Sequence, residues 1–66
     1  MNILKLKSKM VEKGMNVNAL ATILGVDRST LYRKLSEVER FTVGEARKIK
    51  DTLDLTDGEA SEIFFG

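Results

Sequence analysis

Arg28, Ser29, Thr30, Tyr32 and Arg33 bring two guanidinium groups and three hydroxyls into six consecutive positions of a 66-residue chain. Leu31 and Leu35, four apart, share one face of any helix through this stretch. Helical geometry then sends positions 28, 29, 32 and 33 to the other side, with Thr30 and Lys34 flanking them. The resulting face is cationic and rich in hydrogen-bonding groups. An α-helix fits the major groove of B-DNA, where an arginine pairs bidentately with guanine and a hydroxyl serves either acceptors or donors. Arg28, Ser29 and Arg33 are therefore candidate base contacts, helped by Thr30 or Tyr32. Tyr32 has three options: stacking on a sugar, touching a thymine methyl, or lying half-buried at the domain edge.

Positioning such a face requires other elements. Val17, Leu20, Ala21 and Leu24 fall at i, i+3, i+4 and i+7, one stripe of a helix over 17–24, and Gly25 supplies the φ > 0 that ends it. Asp27 is placed to cap the next helix by accepting from the N–H of Ser29 or Thr30, with Val26 stapled onto Leu31. Asn16 and Met15 repeat this arrangement as cap and staple for the helix at 17, Met15 meeting Leu20. Upstream, Asn2 is a candidate cap for a helix to about residue 13, with Ile3, Leu6 and Met10 inward, Val11 widening the stripe and Gly14 closing it. Downstream, Thr42 with Glu45 and Thr56 with Glu59 are T-x-x-E capping boxes, and Leu55 is stapled against Ala60. Val43, Ala46, Ile49, Lys50 and Leu53 trace the buried face of the fourth helix. The spacing thus predicts five helices at about 3–13, 17–24, 28–36, 43–53 and 57–64, with no strand alternation, proline, repeat or low-complexity linker.

Leu20, Ala21, Leu24, Gly25, Val26 and Leu31 together resemble the helix-turn-helix of the lambda-repressor-like (Cro/repressor) family, a likeness extending over residues 1–55. The resemblance implies an all-α fold, a compact five-helix domain over residues 1–66, whose third helix reads the major groove from its N-terminal residues. In that motif Ala21 is small because the third helix crosses close to it. The resemblance also implies phosphate contacts from the side chains of Asn16 and Asn18, from the amide of Val17, and from Arg40 in the loop Ser36–Phe41. Val17 stands where the family commonly has glutamine, and Lys34 where many members have an apolar residue, Leu35 taking the inward role. Small repressors of this family commonly dimerise through the C-terminal region, which points to Phe64 and Phe65. Two adjacent aromatics cannot both turn inward from one helix face, so one is expected outside. The alternative is a helix that merely closes the core.

Composition narrows the remaining classes. With no cysteine and no histidine, disulfide, thiolate and ordinary zinc chemistry are not expected, nor is a cofactor. No glycine loop cradles phosphate, and the carboxylates and single tyrosine have no evident activating partner, so an enzyme with a small-molecule substrate is not expected. No apolar run approaches the roughly 18 residues of a membrane span. The expected setting is the cytoplasm of a bacterial or phage-infected cell, associated with the nucleoid. Net charge is +1, but residues 1–40 carry eight Lys/Arg against four Asp/Glu, and residues 41–66 three against six. A basic half that contains the candidate reading helix is the footprint of a surface meeting polyanion. Lys9 and Lys34 are candidate phosphate contacts within it, or simply solvated charges, while Arg40 reaches phosphate or pairs with Glu37 or Glu39. The leading expectation is a sequence-specific DNA-binding regulator, a phage-type repressor acting as a homodimer on a palindromic operator of double-stranded DNA. The alternative is a protein-interaction module, an antirepressor or accessory domain that keeps the fold but binds another regulator.

Overall fold

The computed structural model describes residues 3–37 and 40–65. The expected cap at Asn2, and Val38 and Glu39 of the loop, lie outside the described residues. Five helices follow in order: α1 (Ile3–Glu12), α2 (Val17–Leu24), α3 (Arg28–Ser36), α4 (Val43–Thr52) and α5 (Asp57–Phe64). There is no strand among the described residues. α2 packs on α3 and α4, while α5 packs on α1 and α4. All five converge on one core in which Leu6, Leu20, Leu31, Ile49, Leu53 and Ile63 are fully buried.

Three of the four joints use the same corner. Gly14, Gly25 and Asp54 each sit at positive φ (66°, 71° and 52°) after α1, α2 and α4. The next residue sends its N–H five positions back: Met15 to Met10 at 2.8 Å, Val26 to Ala21 at 3.1 Å, Leu55 to Lys50 at 2.9 Å. These are the bonds of a left-handed helix cap. The residue that makes the bond is in each case the apolar staple of the following helix, and Met15, Val26 and Leu55 all pack against or within the core. One left-handed residue thus both ends a helix and aims the next staple inward. A Cβ added at Gly25 would meet nothing within 4 Å, so the cost of substitution is set by φ alone. Gly25→Ala is expected to cost about 1–2 kcal/mol, and Asp54→Gly to gain up to about 1 kcal/mol at the equivalent corner. Thermal unfolding of the two variants should move in opposite directions.

The capping boxes form as the sequence predicts. Thr42 and Glu45 exchange two bonds of 3.0 Å, and Thr56 and Glu59 exchange bonds of 2.9 and 3.1 Å. Asn16 Oδ1 accepts from the Ala19 N–H at 2.8 Å. Asp27 departs from expectation: its carboxylate makes no capping bond, although its extended backbone starts α3 and its carbonyl accepts from the Leu31 N–H. Asp27 and the Ser29 beside it are exposed, so water solvates the uncapped N–H groups at little cost.

Two expected core positions are outside. Val11 is 80% exposed and Val43 69% exposed. Val11 lies one helical step beyond the stripe of Ile3, Leu6 and Met10, on the open side of α1. Val43 begins the first turn of α4, at the rim of a groove shared with α5. Of the terminal aromatics, Phe64 turns inward at 7% exposure and Phe65 stands outside at 76%. Phe64 meets Phe41 edge-on, ring centres 5.8 Å apart, which ties the segment after α3 to α5. Phe64 is thus a core residue and not an exposed interface aromatic, because its ring is taken up by that contact.

Candidate nucleic-acid interface

α3 divides as its leucine spacing requires. Leu31 and Leu35 are buried, Arg28, Ser29, Tyr32 and Arg33 are exposed, and Thr30 and Lys34 are intermediate. The outward face is cationic at both ends. Arg28 and Arg33 have no carboxylate partner among the described residues, so neither guanidinium charge is neutralised by a neighbour there. Arg28 leans on Tyr32, its guanidinium carbon 5.5 Å from the ring centre.

Beside this face runs a cleft of about 570 Å³ between α1, the start of α2 and α3. Its apolar floor includes Met10, Met15 and Leu35, and its rim carries Lys7, Asn16, Asn18, Arg28 and Tyr32. The residues expected to meet phosphate at the start of α2 therefore stand next to the residues expected to meet bases. Asn16 has committed Oδ1 to the cap, which leaves its amide N–H₂ as the donor for an anion. Val17 is partly buried against the core, which leaves its backbone N–H, in the first turn of α2, as the group it could offer.

The cations sort differently from the sequence expectation. Lys9 Nζ is held by Glu59 at 2.5 Å and Glu12 at 3.2 Å, and Lys5 pairs with Glu62 at 2.7 Å. These pairs run in opposite order along α1 and α5, which fixes the two helices antiparallel. Lys34 is held by Glu45 at 2.6 Å and lies over the Phe41 ring, 5.9 Å from its centre. Glu45 also serves the Thr42 cap, so one carboxylate ties the end of α3 to the start of α4. Lys9 and Lys34 thus act as struts within the domain, their charges already paired with carboxylates. Arg40 pairs with Glu37 through Nε but stays exposed. Lys7 is exposed, has no carboxylate partner among the described residues, and lines the cleft. Sequence spacing held one signal for it: Lys5 and Lys9 are four apart and share a face, while Lys7 falls on the other side.

The struts carry a pH signature. The Glu59 carboxyl is pulled from an ordinary 4.5 down to about 2 by hydrogen bonds from Lys9 and from the Thr56 N–H. Burial alone would raise Glu45, yet Lys34 and the Thr42 N–H outweigh it, and its pKa is lowered. A carboxyl depressed on folding stabilises the fold fully above its unfolded pKa and loses that contribution as pH falls towards its folded value. Unfolding followed by circular dichroism should therefore show stability dropping between pH 4.5 and about 2. Glu59→Gln should make that drop shallower.

The profile of a protein family described as the helix-turn-helix domain of resolvase matches residues 5–38, just over half of the chain. The chain belongs to this family. No curated protein and no solved structure matches it. As a resolvase-type helix-turn-helix, the chain is a DNA-binding domain whose matched segment starts in α1 and runs through α3. α4 and α5 lie outside the matched residues and close the core from below the helix-turn-helix. The residues that resemble the lambda-repressor-like family lie mostly within α2, the corner at Gly25 and α3, so the match establishes the helix-turn-helix and its DNA-binding class without specifying that family. No helix among the described residues is long and apolar enough to cross a membrane.

Proposed function

We infer that the chain is a sequence-specific transcriptional regulator, a repressor of the phage type that occupies an operator by laying α3 in the major groove. The observation that carries this reading is the outward face of α3, where Arg28 and Arg33 stand exposed, without a carboxylate partner among the described residues, beside a cleft rimmed by Lys7, Asn16 and Asn18. Arg28, Ser29 and Arg33 read base edges, with Thr30 at the edge of the same face. The amide of Val17, the side chains of Asn16 and Asn18, Lys7 and Arg40 hold the sugar-phosphate backbone. Positioning and reading are then done by adjacent groups, with the two leucines of α3 fixing the register between them. The chain works by binding and not by catalysis, in the cytoplasm at the nucleoid.

One reading helix spans too few base pairs for genomic specificity, and a two-fold dimer on a palindrome, half-sites about one helical turn apart, meets that need. Phe65 and Val43 are the exposed apolar side chains on the α4–α5 side that would join two copies.

Selection of tight binders from random-sequence duplex, at about 50 and 200 mM salt, tests the whole reading. A palindromic consensus bound far more weakly at the higher salt is the expected result. An asymmetric site bound tightly by one monomer would remove the dimer. A second reading, a module that binds another regulator, draws on the exposed Leu4, Val11, Val43 and Phe65. It predicts no enriched sequence, and a partner interaction nearly insensitive to salt.

A further inference from the structure

Tyr32 stands among the expected base readers, yet the geometry points to a different task. We propose that Tyr32 is a positioning residue, which holds the Arg28 guanidinium in place for its base pair and does not itself read a base. This rests on the DNA-binding reading of α3.

Arg28 and Tyr32 are four apart on the exposed face of α3, one turn from each other. The guanidinium carbon lies 5.5 Å from the ring centre, inside the range of a cation–π contact. Arg28 Nη2 also donates to Tyr32 Oη, but at 3.5 Å, the outer limit of a hydrogen bond. The ring therefore does most of the holding and the hydroxyl little. Arg33, on the same face, has no such support among the described residues. An arginine loses several rotatable bonds of freedom when it pairs with guanine, and an aromatic plane that restrains it beforehand reduces that loss. A carboxylate would restrain it too, but would occupy its donors and repel phosphate. An aromatic face leaves the donors and the charge available. Tyr32 is 49% exposed and walls the cleft with Arg28, so its ring is supported on one side and open on the other.

The test has two readouts. In the free 66-residue chain, NMR should show the Arg28 side-chain protons displaced by the ring current and their Nε–H restrained, unlike those of Arg33. Tyr32→Leu should abolish both effects and Tyr32→Phe should preserve them. In binding to every single-base variant of the selected duplex, Tyr32→Leu should flatten the preference about two- to five-fold at the base pair that Arg28→Ala flattens. Tyr32→Phe should keep the wild-type preference, and the double variant Arg28→Ala/Tyr32→Leu should lose no more than Arg28→Ala alone. A change at a different base pair, or equal loss in Tyr32→Phe, would make Tyr32 a direct reader and overturn the proposal. So would an Arg28 resonance in the free chain that ignores Tyr32→Leu. If the wild-type chain selects no sequence while the NMR effects stand, the DNA reading of α3 fails and the positioning role with it, the contact remaining only as a surface pair.

Discussion

Leu31→Ala is expected to leave much of the chain unfolded at 37 °C. Leu31 is fully buried, and with Leu35 it joins α3 to the core. A buried Leu→Ala change costs about 2–5 kcal/mol, the upper part of that range applying where surrounding side chains cannot collapse into the space. Leu31 belongs to the same core cluster as the fully buried Leu20, Ile49 and Leu53, which α2 and α4 hold in place, so collapse is restricted. A 66-residue domain without a disulfide has about 3–10 kcal/mol of stability in total. The substitution therefore removes a large share of it, and a urea titration should show the midpoint falling towards zero. Leu24→Ala, at the edge of the same core and slightly exposed, should cost less.

Arg33→Ala should do the opposite, leaving the urea midpoint unchanged and altering only DNA binding. Arg33 is exposed and has no ion-pair partner among the described residues, so the folded chain loses no contact. A bidentate arginine–guanine pair contributes about 1–3 kcal/mol of discrimination, so affinity for the selected duplex should fall between about five- and 150-fold. Binding to duplexes already altered at that base pair should change little. Lys7→Ala supplies the contrast. It should weaken every sequence alike and lower the slope of log K against log salt by about one. Lys9→Ala, by removing the partner of Glu59, should reduce stability and leave the salt slope alone. Measuring both binding slope and unfolding for the three variants separates readers, anchors and struts.

How far the sequence reveals these roles depends on how local each one is. The two capping boxes, the Asn16 cap and the left-handed corners at Gly14 and Gly25 are settled by residues within five positions of each other, and spacing alone finds them. The outward face of α3 is equally legible, because Leu31 and Leu35 define its opposite. Asp54 hides a third corner, since aspartate does not advertise positive φ as glycine does. The misplacements are long-range. Nothing near Lys9 in the chain announces Glu59, fifty residues on, and nothing near Lys34 except the later capping box announces Glu45. Val11 and Val43 are apolar and in helical register, yet no described residue packs over them far enough to bury them. Which of the three lysines on α1 is left without a carboxylate partner among the described residues is decided by where α5 docks. For the same reason part of the acidic charge of the C-terminal half is answered inside the domain: Glu45, Glu59 and Glu62 each face a lysine of the basic half.

The division of α3 into an inward pair of leucines and an outward polar face has an evolutionary consequence. Residues 28, 29 and 33 are exposed, so mutations there escape most of the selection that packing imposes. A duplicated copy of the gene could acquire a new operator by drift at these positions while its fold stayed under the old constraints. Leu31, Leu35 and the corner at Gly25 should then change slowly among descendants and the outward residues quickly. Tyr32 and Arg28 should change together.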